Sequence, residues 1–303
     1  LPSVPSTSDV GESSAALRFF SMVPPGSPVT IALTADAVIL DLEDSVAPAN
    51  KAAARGKVAD FLFGFDRGAE IAPQLWVRIN PFDSGLAESD LAAVVPARPA
   101  GIMLPKPDGP EDCAKLSSLL DHMELAHGVK PGSIGIIPVA SETAIAPFRL
   151  GDYAAAGLTR LRAMTWGAED LAAALGATGN RGEDGEWLFT YRLVRSLTLM
   201  AAHAAGVPAI ETLHADFKDE SGLLATSRQA RAEGFSGRLA IHPAQVGPIN
   251  EGFTPSAGEV EDARRVVAAF AAEPGAGVVG LDGKMLDLPH LKAAQRTLGL
   301  AGE

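Results

Sequence analysis

The strongest constraint on this chain is a recurrence. Eight short apolar runs lie along it, at residues 17–23, 36–42, 75–80, 101–105, 134–140, 161–166, 207–212 and 238–243. Most are β-branched, unbroken by alternating polar positions, and bounded by Gly, Pro or polar residues. Runs of that kind suit strands buried on both faces, as in a parallel sheet covered by helices. Ala/Leu-rich amphipathic stretches separate most of them, such as 110–126, 187–205 and 221–233, and read as crossover helices. Eight such units predict an α/β chain folded as a TIM (β/α)8 barrel over residues 17–255, near the ~250 residues that such barrels use. A doubly wound open sheet would gather its ligand groups at one switch point. Neither G-x-G-x-x-G nor G-x-x-x-x-G-K-[ST] occurs to support it.

Outside the barrel, residues 1–16 carry no targeting pattern and are expected to form a disordered tail. After Pro255 the pattern becomes a helix at 257–272, a Gly-rich turn, a run at 277–289 and a last helix at 290–298. Residues 256–303 are too few for a domain, and read as a C-terminal helical lid or arm packed on a neighbouring subunit. A net charge of −12 with no Lys/Arg-rich run argues against nucleic acid. No apolar stretch reaches the ~20 residues of a membrane span. The single cysteine, Cys113, excludes an internal disulfide and a thiolate zinc cage, so the expected compartment is the cytoplasm. None of the six histidines has i, i+4 ligand spacing.

A polar or charged residue follows the end of nearly every run: Asp41 and Glu43, Arg78, Lys106, Glu142, Asp170, Glu211 and His242. In a barrel those ends form one functional face, so they are expected to share one site. Glu142 and Asp170 would meet at its mouth, where two carboxylates suit a hard divalent cation. Spacing alone fits equally well a helix cap at Glu142 and a first-turn charge at Asp170. Lys106, as a strand-end amine, has a rival role as a Schiff-base lysine. His242 reads as a wall residue.

Seven segments in order, VILDLEDSV (38–46), VRINPFDSG (77–85), MLPKPDGPED (103–112), SETA (141–144), WGAEDLAAALG (166–176), AIHPAQV (240–246) and GKMLDLPHLKAAQ (283–295), resemble the CitE-like branch of the HpcH/HpaI aldolases. That branch holds citrate lyase β-subunits, malyl-CoA lyases and citramalyl-CoA lyases. The resemblance implies a Mg²⁺-dependent TIM barrel, a homotrimer or homohexamer, whose C-terminal segment caps an adjacent active site. By position it makes Glu142 and Asp170 the metal carboxylates and Arg78 the grip on substrate carboxylate and carbonyl oxygen. It places Glu43 and Asp44 with the catalytic group, orienting Arg78 and metal-bound water, and puts Lys106, Gly167, Ala168 and Glu169 beside the substrate. Asp287 becomes the lid acid that protonates a thioester enolate, or activates water in a thioesterase. Two plainer roles compete: Arg78 as partner of Asp41, Glu43 or Asp44, and Asp287 as a helix cap.

One stretch departs from the family. Where relatives carry an arginine and a lysine for the CoA phosphates, residues 22–38 read MVPPGSPVTIALTADAV, and no basic residue occurs between Arg18 and Lys51. The implied reaction is retro-Claisen or retro-aldol cleavage of a 3-hydroxyacyl-CoA such as malyl-CoA or citramalyl-CoA, giving a 2-oxo acid and an acyl-CoA. Its rivals are a malyl-CoA-type thioesterase, a CoA-free 2-oxo-acid aldolase acting on a small hydroxy or oxo acid, and a barrel subunit without activity.

Overall fold

The computed structural model describes residues 19–23, 35–68 and 72–303. The expected 1–16 tail and most of the segment lacking cations thus lie outside the described residues. All eight apolar runs form strands: β1 (Phe19–Val23), β2 (Ala37–Asp41), β3 (Gln74–Arg78), β4 (Gly101–Leu104), β5 (Gly135–Pro138), β6 (Met164–Thr165), β7 (Ala209–Glu211) and β8 (Gly237–Ala240). They pair in parallel in the order β5-β4-β3-β2-β1-β8-β7-β6. The two ends of that order also meet, through parallel bridges at Ile136–Leu161 and Val139–Thr165. Ile136 N donates to Arg160 O at 2.8 Å and Ala140 N to Thr165 O at 2.8 Å. Those bonds close the sheet into a barrel.

Strand residues alternate between two apolar clusters, as the two-residue repeat of a strand requires. Ala37, Ile39, Trp76, Met103, Ile137, Ala163, Ile210 and Leu239 fill the lumen. Val38, Leu40, Leu75, Val77, Ile102, Leu104 and Ile136 face outward. They meet the surrounding helices α1 (Lys51–Gly64), α2 (Ala87–Val94), α3 (Pro110–Ala126), α4 (Ala146–Arg149), α5 (Ala168–Ala174), α6 (Phe189–Ala204), α7 (Glu220–Glu233) and α8 (Val246–Phe253). Among the described residues no helix is long and apolar enough to cross a membrane.

Trp76 is the largest lumen residue and dictates its neighbours. A Cβ on Gly101 would lie 2.0 Å from Trp76 Cζ3, and one on Gly135 3.1 Å from Trp76 Cη2. Gly101→Ala is therefore expected to destabilise the barrel by about 1–3 kcal/mol through overpacking, measured by urea unfolding. An unchanged midpoint would show that Trp76 can swing aside.

Beyond the barrel, α9 (Ala257–Ala272) begins at a reciprocal Ser256/Glu259 capping box, matching the expected 257–272. The run at 277–289 is an antiparallel hairpin, β9 (Val278–Leu281) and β10 (Lys284–Asp287). Its turn residues Asp282 and Gly283 have φ of 50° and 74°, the left-handed pair that an Asp-Gly hairpin turn demands. The last helix, α10 (Leu288–Leu300), packs on α9 and starts two residues before the expected 290.

Candidate functional site

Six of the eight strand-end positions gather at one barrel mouth. Lumen-facing alternation through Ile39 and Trp76 carries Asp41 and Arg78 inward at the tops of β2 and β3, and the two pair across adjacent strands. Arg78 Nε and Nη2 both donate to Asp41, at 2.7 Å each. Its Nη1 lies 2.8 Å from Glu43 Oε2. Asp41 in turn accepts from Glu43 N at 2.9 Å and Ser45 N at 3.2 Å, fixing the turn that presents Glu43. A guanidinium has five N–H donors, so among the described residues two on Arg78 remain uncommitted. The ion-pair role expected of Arg78 is the one its contacts display.

Lys106 ties β4 to the rest of the mouth. Its backbone is left-handed, with φ of 51°, and its N–H donates to Glu142 Oε2 at 2.8 Å. Its ammonium pairs closely with Glu43 and reaches Asp170 Oδ1 at 3.2 Å and Asp44 Oδ2 at 3.4 Å. Glu142 is 5% exposed. It packs so tightly on the β6 loop that a Cβ on Gly167 would lie 2.7 Å from its side chain. Gly167 N donates to Ser141 Oγ at 3.2 Å, holding the two acidic loops together.

Electrostatics at the mouth follow from burial among like charges. Burial, then the Asp170 and Glu43 carboxylates, push Glu142 up to about 8. Burial also raises Glu43, against the pull of Arg78 and Lys106. Burial works on Asp41 in the same sense, but the Arg78 fork outweighs it and holds that carboxyl below its ordinary range. Desolvation opposes the charge on Lys106 and Arg78, yet their carboxylate partners raise both. The mouth holds carboxylates in excess of its cations.

Two cavities flank Lys106 and share Asp83 as lining: one of about 510 Å³ reaching Glu43, Lys51 and Asn80, the other of about 480 Å³ reaching Glu142 and Asp170. Ala168 is buried. Glu169 is exposed and accepts from Asn180 Nδ2 at 2.8 Å.

Glu211 and His242 correct the expectation of a single site. Ile210 faces the lumen, so Glu211, one residue on, faces outward, where it accepts from Trp166 Nε1 and Arg195 Nε at 2.6 Å each. His242 stacks on Phe217 with centroids 4.9 Å apart and caps a short 3₁₀ turn, a wall role as expected. Asp287 caps α10 and is bound by His290 at 2.5 Å. Among the described residues none of the mouth side chains is its hydrogen-bond or ion-pair partner.

Sequence reasoning missed the scaffold beneath the mouth. Lys51 Nζ donates to Leu42 O, Glu43 O and Asn80 Oδ1 at 2.6–2.8 Å. Asn80 donates to Leu42 O and to Asp90, which Arg55 also holds at 2.6 Å. The two-residue repeat of Trp76 and Arg78, carried on to Asn80 just past the end of β3, was the available signal for Asn80.

The HpcH/HpaI aldolase/citrate lyase family model matches residues 29–243. Citramalyl-CoA lyase, mitochondrial, of Rattus norvegicus is 35% identical over 289 residues, spanning 89% of this chain and 80% of that protein. A citrate lyase subunit beta-like protein of Mycobacterium tuberculosis is 35% identical over 274 residues, spanning 90% of each. The crystal structure of CitE from Mycobacterium tuberculosis in complex with magnesium, acetoacetate and coenzyme A aligns with a TM-score of 0.77 at 34% identity, covering 95% of this chain and 99% of that one. With the barrel, its mouth and these relatives in agreement, the chain belongs to the HpcH/HpaI aldolase/citrate lyase family, in its CitE-like branch, and is a lyase.

Proposed function

We propose that this lyase is Mg²⁺-dependent and cleaves a 3-hydroxyacyl-CoA bearing a carboxylate on its hydroxyl carbon, such as malyl-CoA or citramalyl-CoA, into a 2-oxo acid and an acyl-CoA. The observation that carries the reading is the mouth itself: a buried Glu142 beside Asp170, short of cationic compensation, next to an arginine with two uncommitted donors. Among the described residues no group of three or more His, Cys, Asp or Glu side chains is arranged for a metal. Two carboxylates nevertheless fit Mg²⁺, which keeps waters and substrate oxygens in its shell, and the repulsion that lifts Glu142 to about 8 is what a divalent cation would relieve. Glu142 and Asp170 would hold it, and when bound it polarises the substrate's hydroxyl and carboxylate oxygens.

The remaining steps belong to the chain. Arg78 is held rigid by Asp41 and Glu43, and its two free N–H groups orient the substrate carboxylate and offset charge developing on the hydroxyl oxygen. Asp41 is held ionised and serves as an anchor. Glu43 is raised by burial and takes the hydroxyl proton. As that proton leaves, the O–C bond becomes the carbonyl of the 2-oxo acid, and the electrons of the cleaved C–C bond pass to the thioester enolate. The enolate carbon then takes a proton from Asp287 of a neighbouring subunit, which requires residues 256–303 to act as a lid across a homotrimer or homohexamer. Lys106 steadies Glu43 and Asp170 around the substrate, with the Gly167–Ala168–Glu169 loop behind it. A single, buried cysteine, with no disulfide to form within the chain, suits a cytoplasmic setting.

A product-resolved assay tests this reading. With Mg²⁺ and malyl-CoA or citramalyl-CoA, the 2-oxo acid and acyl-CoA are expected to appear in equal amounts. Free CoA thiol without the 2-oxo acid would make the chain a thioesterase, and cleavage confined to free hydroxy acids would make it a CoA-free aldolase. Lid sharing has its own expected result: mixing inactive Asp287→Ala with inactive Glu142→Ala protein, with subunit exchange verified by labelling, regenerates activity. Its failure to return would leave Asp287 a helix cap.

A further inference from the structure

A third cavity, outside the barrel between α6 and α7, brings four arginines and five carboxylates to its wall. It measures about 430 Å³ and is lined by Arg181, Arg195, Arg238, His214 and Trp187 among others, a volume within the ordinary range for small-molecule sites. Arg238 is 5% exposed, at the start of β8, and points away from the lumen that its neighbour Leu239 fills. Its Nη1 donates to Thr226 Oγ1 at 2.7 Å, but among the described residues its buried Nε has no hydrogen-bond partner.

The nearest carboxylate does not satisfy it. Glu211 lies 4.0 Å from Arg238 Nη2. Its oxygens are already taken by Trp166 Nε1 at 2.6 Å, Thr212 N at 2.9 Å and Arg195 Nε at 2.6 Å. Burial pushes Arg238 down to about 10, with Glu211 opposing and Arg195 and Arg181 reinforcing. A buried guanidinium with an N–H left unsatisfied is costly, because the desolvation of that donor is not returned by a hydrogen bond. His214 Nε2, also buried, lacks a hydrogen bond as well, 3.3 Å from Asp219 Oδ2.

The geometry points to this cavity as a binding site for a small oxyanion, a carboxylate or a phosphate, seated on Arg238 with Arg195 and Arg181 around it. Glu211 and Glu233, both paired with Arg195, and Asp184, Glu186 and Asp219 also line it, so a compact anion of low charge seated on Arg238 fits better than a highly charged one. The site is one hydrogen bond from the loop of Gly167 to Asp170, because Glu211 holds Trp166, the residue before it.

Tryptophan fluorescence reads occupancy. Trp187 lines the cavity, meets Trp166 edge-on with centroids 5.3 Å apart, and carries Arg181 over its ring at 3.6 Å. The whole protein is titrated in EDTA, which separates this test from metal-dependent chemistry, with acetate in one arm and inorganic phosphate in the other, at constant ionic strength. A saturable change with at least one anion is expected, weakened about tenfold or more in Arg238→Gln, as for loss of a charge-assisted hydrogen bond. The arm that binds tighter identifies the ligand class. Should Arg238→Gln fail to fold, the exposed Arg181→Ala is expected to weaken the same response. No response to either anion, or an undiminished response in the folded variant, would overturn the site.

Discussion

Glu142→Gln is expected to abolish turnover, by at least about 10³-fold, while leaving the protein folded. The substitution keeps an oxygen to accept from Lys106 N, the bond that joins the β4 and β5 loops at 2.8 Å, and removes only the charge. Removing that charge also relieves a buried carboxyl crowded by Asp170 and Glu43, so the melting temperature should hold or rise. Activity and stability therefore move in opposite directions, as expected where a site is electrostatically strained for function. Glu142→Ala should lose activity equally and also lose the loop contact. Wild-type kcat/KM in Glu142→Gln, or full wild-type activity in excess EDTA, would remove the metal from the mechanism.

Arg78→Lys comes next in size, with an expected loss of about 2–4 kcal/mol of transition-state stabilisation, or roughly 30- to 1,000-fold in kcat/KM. Lysine preserves the charge, but a single ammonium cannot bind both Asp41 oxygens, approach Glu43 and still present two donors to a ligand. Asp41 then loses the fork that holds it ionised. Loss concentrated in kcat with KM little changed would place Arg78 at the reacting oxygen. Loss in KM alone would assign it to ground-state binding, and a near-silent change would make the Asp41–Arg78 pair purely structural.

The barrel was legible because each of its strands must be apolar on both faces, and a continuous Val/Ile/Leu run bounded by Gly or Pro states that requirement locally. Helix limits were equally local where a cap marks them: Pro110 at the start of α3 and the Ser256/Glu259 box at the start of α9 lie where sequence placed them. The hairpin at 278–287 carried its own signal, Asp282-Gly283 between apolar residues, which the reading of a lid passed over. Glu211 shows a different kind of error. Its place at a strand end was read, but its parity was not: Ile210 occupies the lumen, so its neighbour must point at α6 and Arg195. The Lys51–Asn80–Asp90 network is invisible to local pattern because its partners come from three parts of the chain and join only when α1, the end of β3 and α2 are assembled. A buried acid on a short helix, such as Asp90, looks like any solvent-facing one until that packing exists.

The central claim is that Glu142 and Asp170 together make one divalent-cation site on which the chemistry depends, and calorimetric titration of the apo protein with Mg²⁺ tests it most directly. Glu142's raised pKa gives the sign of the pH dependence: its proton must leave before the ion binds, so affinity should climb as pH rises toward about 8 and level off above it, with proton release at lower pH. The account predicts one Mg²⁺ per chain in the wild type, with binding lost in Glu142→Ala and in Asp170→Ala but retained in Asp287→Asn. Undiminished Mg²⁺ binding in either of the first two variants, or an affinity that falls as pH rises from 6 to 8, would contradict it.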